Sequence, residues 1–488
     1  MKLRTCLALL ALTLPAVAAD TADLKSAVEK SMRAMGAENV KTVVISGEGW
    51  DGCVGQNFDP NADHWRKFSN KHYVRSIDFD ARAWRLERVR GEGENPGRGG
   101  CNAGPVPDQQ QNQVTTLNAG SPWNTQMEFI LLPEGFLKTA LEKNATVTTQ
   151  RVKGRNYTVV SFMGELAPVT GYINEMGYVD RVATKVSNDV MGDMVWSAEY
   201  TDWRDFNGFR FPTHIVQHQG GLLFFELNVS DVKVNVPVDL TQPPGRGRGG
   251  AGAGGRGRGA APGPMSEDLG GGFWLVTGGY GAVVGNFRNY IVVIEGPQND
   301  MRAEQIIAEA KRLVPNKPIR YVINTHAHFD HSGGLRAFVA EGATIITHKD
   351  NKAFYERVLK YPHTLVPDTL SKMNPQPKVK IETVGDMKIL TDGEHIIDLF
   401  HLEGSTHSMG TLIAYLPKLK ILVEADEFNV GAANAPAPAN PNPYHTNLLA
   451  NVERLKLDVD RIIPIHLPND GRRVALAELY TAAGKQNP

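Results

Sequence analysis

The chain has no apolar run long enough to cross a bilayer. Its best candidate, residues 6–14 (CLALLALTL), is far short of the roughly 20 residues a spanning helix needs. It has no charge imbalance either. Against 52 Lys+Arg stand 53 Asp+Glu, a net charge of -1, so no overall field draws it to nucleic acid or to an anionic membrane surface. Cysteine is scarce, with 3 in 488 residues. Neither Cys53 nor Cys101 lies near the histidine-rich motif described below, which excludes both as expected metal ligands.

What is present points to an exported protein of two domains. A chain of 488 residues exceeds one ordinary domain, and an apolar content of 41% suits a globular fold. Lys2 and Arg4 give a basic start, 6–14 a short apolar core, and Ala16, Ala18 and Ala19 small residues for cleavage. Together these read as a secretory signal over 1–19, which makes the mature protein periplasmic and removes Cys6. In an oxidising compartment the remaining pair, Cys53 and Cys101, is expected to form one disulfide, the alternative being two buried thiols.

Residues 241–266 divide the chain. Their centre, PPGRGRGGAGAGGRGRGAAPGP, has almost no side chain with which to build a core and reads as a flexible linker, not as an RNA-binding segment. Before it, residues 20–240 read as a mostly antiparallel β domain with a helix near 22–36. Strand-like alternation covers 40–47, 72–90, 145–163, 169–187 and 194–236, with hairpin signals at Asn207-Gly208 and Gly220-Gly221. The long hairpins and the phrase VTGYINEMGYVDRVATKV resemble the open β-half-barrel of lipoprotein-carrier proteins. Trp196, Trp203, Phe209, Phe211, Phe224 and Phe225 could line an apolar cavity there, or serve as core.

After the linker, from 267 to 488, the pattern changes to alternating strands and helices. Strands are expected at 273–277, 290–295, 319–324, 343–347, 387–390, 396–401, 411–416, 419–424 and 461–465. Helices are expected at 299–313, 333–341 and 446–456. This is the signature of a layered α/β domain.

The chemistry is concentrated in Thr325-His326-Ala327-His328-Phe329-Asp330-His331-Ser332-Gly333-Gly334. It follows the apolar strand IRYVIN and runs into a turn and a helix. On an extended strand end His326 and His328 point the same way and can grip one ion, while Asp330 and His331, past the bend, can reach a second. Imidazole and carboxylate donors suit zinc. The segment resembles the signature of the metallo-β-lactamase superfamily, and the family's other motifs follow in order. His407, in GSTHS, resembles its next metal histidine; Asp426, ending ILVEAD, its bridging aspartate; and His466, ending RIIPIH, its last histidine. The resemblance covers about 267–475 and implies an αββα sandwich holding two zinc ions, with iron and manganese as alternatives. It assigns His326, His328 and His407 to one ion, Asp330, His331 and His466 to the other, and Asp426 to both. It further implies a bridging hydroxide as nucleophile, with Asp330 as the catalytic residue that orients it or carries its proton. His401 is the nearest rival to His407 but lies within a strand. His348, His363 and His395 read as structural, and Tyr444 or His445 could touch substrate.

An aspartate at 426, where a thiol-bearing lactamase subclass has cysteine, shifts the expectation away from β-lactams. It favours hydrolysis of an ester, lactone or amide in a small-molecule substrate, an apolar one included. The alternatives are a phosphodiesterase or sulfatase-like hydrolase on the same site, or a lipid- or lipoprotein-binding protein with a vestigial metal domain. No nucleic-acid partner and no stable membrane insertion are expected, and the oligomeric state is not legible.

Overall fold

The computed structural model describes residues 21–102, 106–243 and 265–486. The signal segment and most of the linker lie outside the described residues. Among the described residues, no helix is long and apolar enough to cross a membrane.

The first half is one 11-stranded sheet in which every neighbour pairs antiparallel. Strand Thr42–Cys53 pairs with Arg66–Asp78 on one side and with Leu222–Val234 on the other. The two glycine-containing turns sit where expected. Asn207 and Gly208 both have positive φ, 57° and 88°, as a tight hairpin demands, and join Gly192–Phe206 to Phe209–Gln219. Gly220 and Gly221 do the same for the next hairpin. The expected helix is Thr21–Met35. Two further helices, Trp123–Ile130 and Pro133–Glu142, were not anticipated. Each is short, 8 and 10 residues, and the two are separated only by Leu131 and Leu132, so the stretch is too brief for a helical period to stand out, although Met127, Phe129, Ile130, Phe136 and Leu137 are all buried. The expected strand 72–90 is in fact parts of two, turning at Phe79–Arg82 with Arg82 at φ 50°.

Of the two readings of the six aromatics, cavity lining or core, the structure favours core: Trp196, Phe209 and Phe211 lie in it, and Trp203, Phe224 and Phe225 pack against it. Phe209 and Phe211 are fully buried, Trp196 nearly so, and Trp203 stacks on Tyr178.

The second half is four layers, α/β/β/α. One sheet has seven strands, from Ser266–Gly270 to Ile381–Val384, and the other six, from Met387–Thr391 to Val474–Ala475. Phe273, Val283, Ile323 and Ile346 from the first sheet meet Leu399, Ala414, Val423 and Ile463 from the second in one apolar layer. Helices Asp300–Leu313 and Leu335–Ala340 cover the outer face of the first sheet, with Ile306, Phe338 and Val339 in its core. Helices Pro443–Arg454 and Leu476–Ala482 cover the second through Leu448, Leu449 and Leu479. The helix starts follow capping rules: Asn299 accepts from Arg302 N at 2.9 Å, and Asn442 accepts from Tyr444 N ahead of Pro443 at the first helical position.

Candidate metal centre

The site lies where strand ends of the two sheets meet, a junction tied by Leu412 N donating to Thr325 O at 2.7 Å. Strand Ile319–Ile323 leads into the segment that carries His326 and His328, the latter in extended backbone, and the first turn of the short helix Phe329–Ser332 carries Asp330 and His331. From the other sheet, Ile421–Glu424 and Arg461–Pro464 pair in parallel, so Asp426 and His466, each two residues past its strand, emerge side by side. His407 comes from the loop after Ile396–His401.

All seven residues singled out in the sequence converge, in two groups that share one member. His326, His328, His407 and Asp426 form one; Asp330, His331, Asp426 and His466 form the other. Asp426 divides its carboxylate between them. Oδ2 lies 3.0 Å from His407 Nε2 and 3.5 Å from His326 Nε2, while Oδ1 lies 2.7 Å from His466 Nε2 and 3.2 Å from His331 Nε2. Asp426 holds φ at 67°, a left-handed conformation costly for a residue with Cβ and typical of functional positions.

The donors fit a pair of divalent cations. Imidazole nitrogens face one another at 3.3 Å (His407 and His326) and 3.1 Å (His331 and His466), each pair close enough to share one ion. His328 spends Nε2 on the carbonyl of Asn57, 3.1 Å away, leaving its buried Nδ1 without a hydrogen-bond partner among the described residues. The electrostatics agree. Burial, then the neighbouring imidazoles, hold His326 at about 3 and His328 well below the usual histidine value, so both rings are neutral, the form that can bind a cation. Burial alone would push Asp426 up, but His331 and His466 outweigh it and hold the carboxyl well below the ordinary range. Against the burial that opposes its charge, His331 is raised well above the usual value by Asp426 and Asp330.

Supporting groups surround the donors. Thr325 Oγ1 donates to Glu295 Oε2 at 2.6 Å and lies 3.1 Å from His326 Nδ1, and the same buried Glu295 lies 3.7 Å from His331 Nδ1. Such outer partners fix ring orientation. Tyr280 packs its ring 4.0 Å from that of His466, and its hydroxyl donates to Asp330 Oδ2 at 3.4 Å. Glu427, raised to about 7 by burial, accepts from Ser405 Oγ at 2.6 Å behind His407.

The remaining histidines stay apart from the two groups. His401 stacks on buried His348 with ring centres 4.1 Å apart and bonds to Met409 O. His363 faces Asp368, and His395 faces Asp392. Tyr444 is buried; its hydroxyl donates to Gly99 O at 2.9 Å and its ring lies 5.2 Å from that of His407. His445 accepts from Asn429 N at 3.3 Å.

The sequence did not reveal that the first half reaches this site. Cys53 and Cys101 are bonded, and the two segments they tie together lie against the metal motif. Gln56 Nε2 donates to Asp330 Oδ1 at 2.7 Å, Phe329 N to Gly55 O at 3.1 Å, and Gly99 N to Thr406 O at 2.9 Å. Trp65 meets the Phe329 ring edge-on at 5.7 Å. The two cysteines were the only available pointer, since a disulfide in a long chain marks segments that must be held together.

No curated protein matches this sequence. Similar solved structures include the metallo-beta-lactamase FIM-1 from Pseudomonas aeruginosa in its mono-zinc form, at 18% identity over 46% of this chain and 96% of that one, with a TM-score of 0.35. A metallo-beta-lactamase from Pontibacter korlensis is 17% identical over 45% of this chain and 97% of that one, with a TM-score of 0.34. One from Hirschia baltica is 20% identical over 45% and 96%, with a TM-score of 0.33. The family that matches in sequence is the metallo-beta-lactamase superfamily, over a segment that contains all seven clustered donors. Residues 294–466 are a domain of the metallo-beta-lactamase superfamily and carry the metal-dependent hydrolase class with it.

Proposed function

We propose that the protein is a dinuclear-metal hydrolase of ester, lactone or amide bonds that works in the periplasm. His326, His328 and His407 would hold one ion, Asp330, His331 and His466 the other, and Asp426 would offer one carboxylate oxygen to each. The observation that carries this reading is the division of the Asp426 carboxylate, one oxygen toward each imidazole group. Zinc is the metal the donor chemistry favours. The ions would supply a water-derived nucleophile at neutral pH and polarise the scissile carbonyl.

The chain's own residues do the rest. Side chains of His466 and Asp330 are 33% and 21% exposed, whereas His326, His328 and His407 are buried, so substrate enters on the His466 side. Asp330, acceptor-only at Oδ1 because Gln56 donates there, presents Oδ2 to the entrance, where it can orient water and carry its proton. Tyr280, against both His466 and Asp330, forms one wall. Export is supported by the Cys53–Cys101 bond, which needs an oxidising compartment to persist.

The test is turnover by the zinc-loaded protein across panels of carboxylic esters, lactones, amides and phosphodiesters, with metal content measured in parallel. Hydrolysis of a carbonyl substrate, abolished in His328→Ala, is expected. Turnover confined to phosphodiesters would replace the reading with the phosphodiesterase one. An inert protein whose first half binds lipid would replace it with a carrier bearing a vestigial metal domain.

A further inference from the structure

We propose that Gln56, from the β-sheet half of the chain, is a positioning residue of the metal centre, holding Asp330 in the rotamer that serves the second ion. The proposal rests on the reading of the cluster as a metal site.

Gln56 is buried and both ends of its amide are engaged. Oε1 accepts the backbone N–H of Cys101 at 3.0 Å, and Nε2 donates to Asp330 Oδ1 at 2.7 Å. The amide orientation is settled by chemistry: reversed, it would set an NH2 against an N–H and an oxygen against a carboxylate. Asp330 thus has one oxygen committed to Gln56. The other faces His331 Nε2 at 3.6 Å and His466 Nε2 at 3.7 Å, the two imidazoles of the second group. Without the Gln56 bond, nothing described holds Oδ1, and only the long 3.4 Å contact from the Tyr280 hydroxyl to Oδ2 is left to orient the carboxylate toward the imidazoles.

The segment that carries Gln56 is itself fixed. Its carbonyl accepts from Gly100 N at 2.9 Å, and the Cys53–Cys101 bond closes the two segments on each other. The next residue, Asn57, has its side chain locked between Arg66 N at 2.7 Å and His64 O at 2.8 Å, and its carbonyl meets His328 Nε2. The β half therefore gives each metal group one outer partner: a carbonyl for His328, a carboxamide for Asp330. Contacts of this kind set ligand orientation, and losing one costs about 10–100-fold in metal affinity.

The experiment uses the full chain, stripped of metal and titrated with Co2+ while visible absorption bands report each site. Wild type is expected to take up two ions. In Gln56→Ala and Gln56→Glu the first ion should bind as in wild type and the second about 10–100-fold more weakly. Gln56→Glu keeps an acceptor for Cys101 N–H, and so keeps the loop, but loses the donor and sets a second carboxylate beside Asp330. Two ions bound by both variants as in wild type would overturn the proposal. So would equal loss of both sites in both variants, which would mark a structural role only. A wild type that takes up no ion would overturn the metal reading and this proposal with it.

Discussion

A methyl group added to Gly100, 228 residues away in sequence, should damage the site at His328. Gly100 is buried between the two halves. A Cβ built there overlaps Gln56 Oε1 and lies 2.9 Å from His328 Cε1 and 3.0 Å from His328 Nδ1, the atom left free for an ion. Neither neighbour can yield cheaply, since Gln56 is held by Asp330 and Cys101, and His328 by Asn57. Overpacking of this kind costs about 1–3 kcal/mol. The methyl also crowds the place where His328 meets an ion, so affinity at the first site should fall by at least the roughly 10–100-fold of a lost outer partner. Thermal unfolding of metal-free Gly100→Ala, with and without added Zn2+, separates the two effects: the first lowers the midpoint of the bare protein, the second shrinks the rise that Zn2+ produces. Gly385→Ala is the control, because a Cβ there meets nothing within 4 Å and its φ is ordinary. A Gly100→Ala protein with wild-type stability and a full Zn2+ response would refute the packing of the two halves on which this reasoning stands.

Two further perturbations are expected to have defined outcomes. Cys53→Ser/Cys101→Ser opens a loop of 48 residues, worth about 4 kcal/mol of chain entropy, and urea unfolding should register most of it; a change below about 1 kcal/mol would mean the segments are held by packing alone. Glu134 is buried, its pKa raised by burial to about 7, so it favours the folded state only while protonated. That contribution is full below the unfolded value near 4.5 and is lost as pH rises through about 7. Glu134→Gln should therefore flatten the stability profile over that window and exceed wild type at pH 8, as measured by denaturation at pH 5 and 8.

Much of the second half was legible because its elements obey local rules. Helix Asp300–Leu313 alternates Ile306, Ile307 and Ala310 toward the sheet with charge outward, and strands such as Ile291–Ile294 are short, fully buried runs. Helices Trp123–Ile130 and Pro133–Glu142 hid because each is short, 8 and 10 residues, and Pro133 follows the first almost at once, so neither gives a window long enough for a helical period to stand out. The seven donors were legible because chain order and strand-end placement suffice to recognise them, and each falls within two residues of a strand end or in the loop or turn that follows.

What the donors could not announce was their support. A carbonyl such as that of Asn57 belongs to every residue, and a glutamine such as Gln56 has no spacing to give it away; each acquires meaning only once the Cys53–Cys101 bond and the Gly99-Gly100 turn bring its segment onto the metal motif. The chemistry of those contacts explains why they fall to a separate domain. His328 needs a hydrogen-bond acceptor for Nε2 if Nδ1 is to face an ion, and Asp330 needs a donor for one oxygen if the other is to face His331 and His466. Strand ends offer few such groups at the open side of a sandwich. A disulfide-closed pair of loops laid across that side provides both, so the β half acts on the chemistry before any role it has in handling substrate. Removing it would expose His328 Nε2 and Asp330 Oδ1 to water together, and both donor groups would lose an outer partner at once.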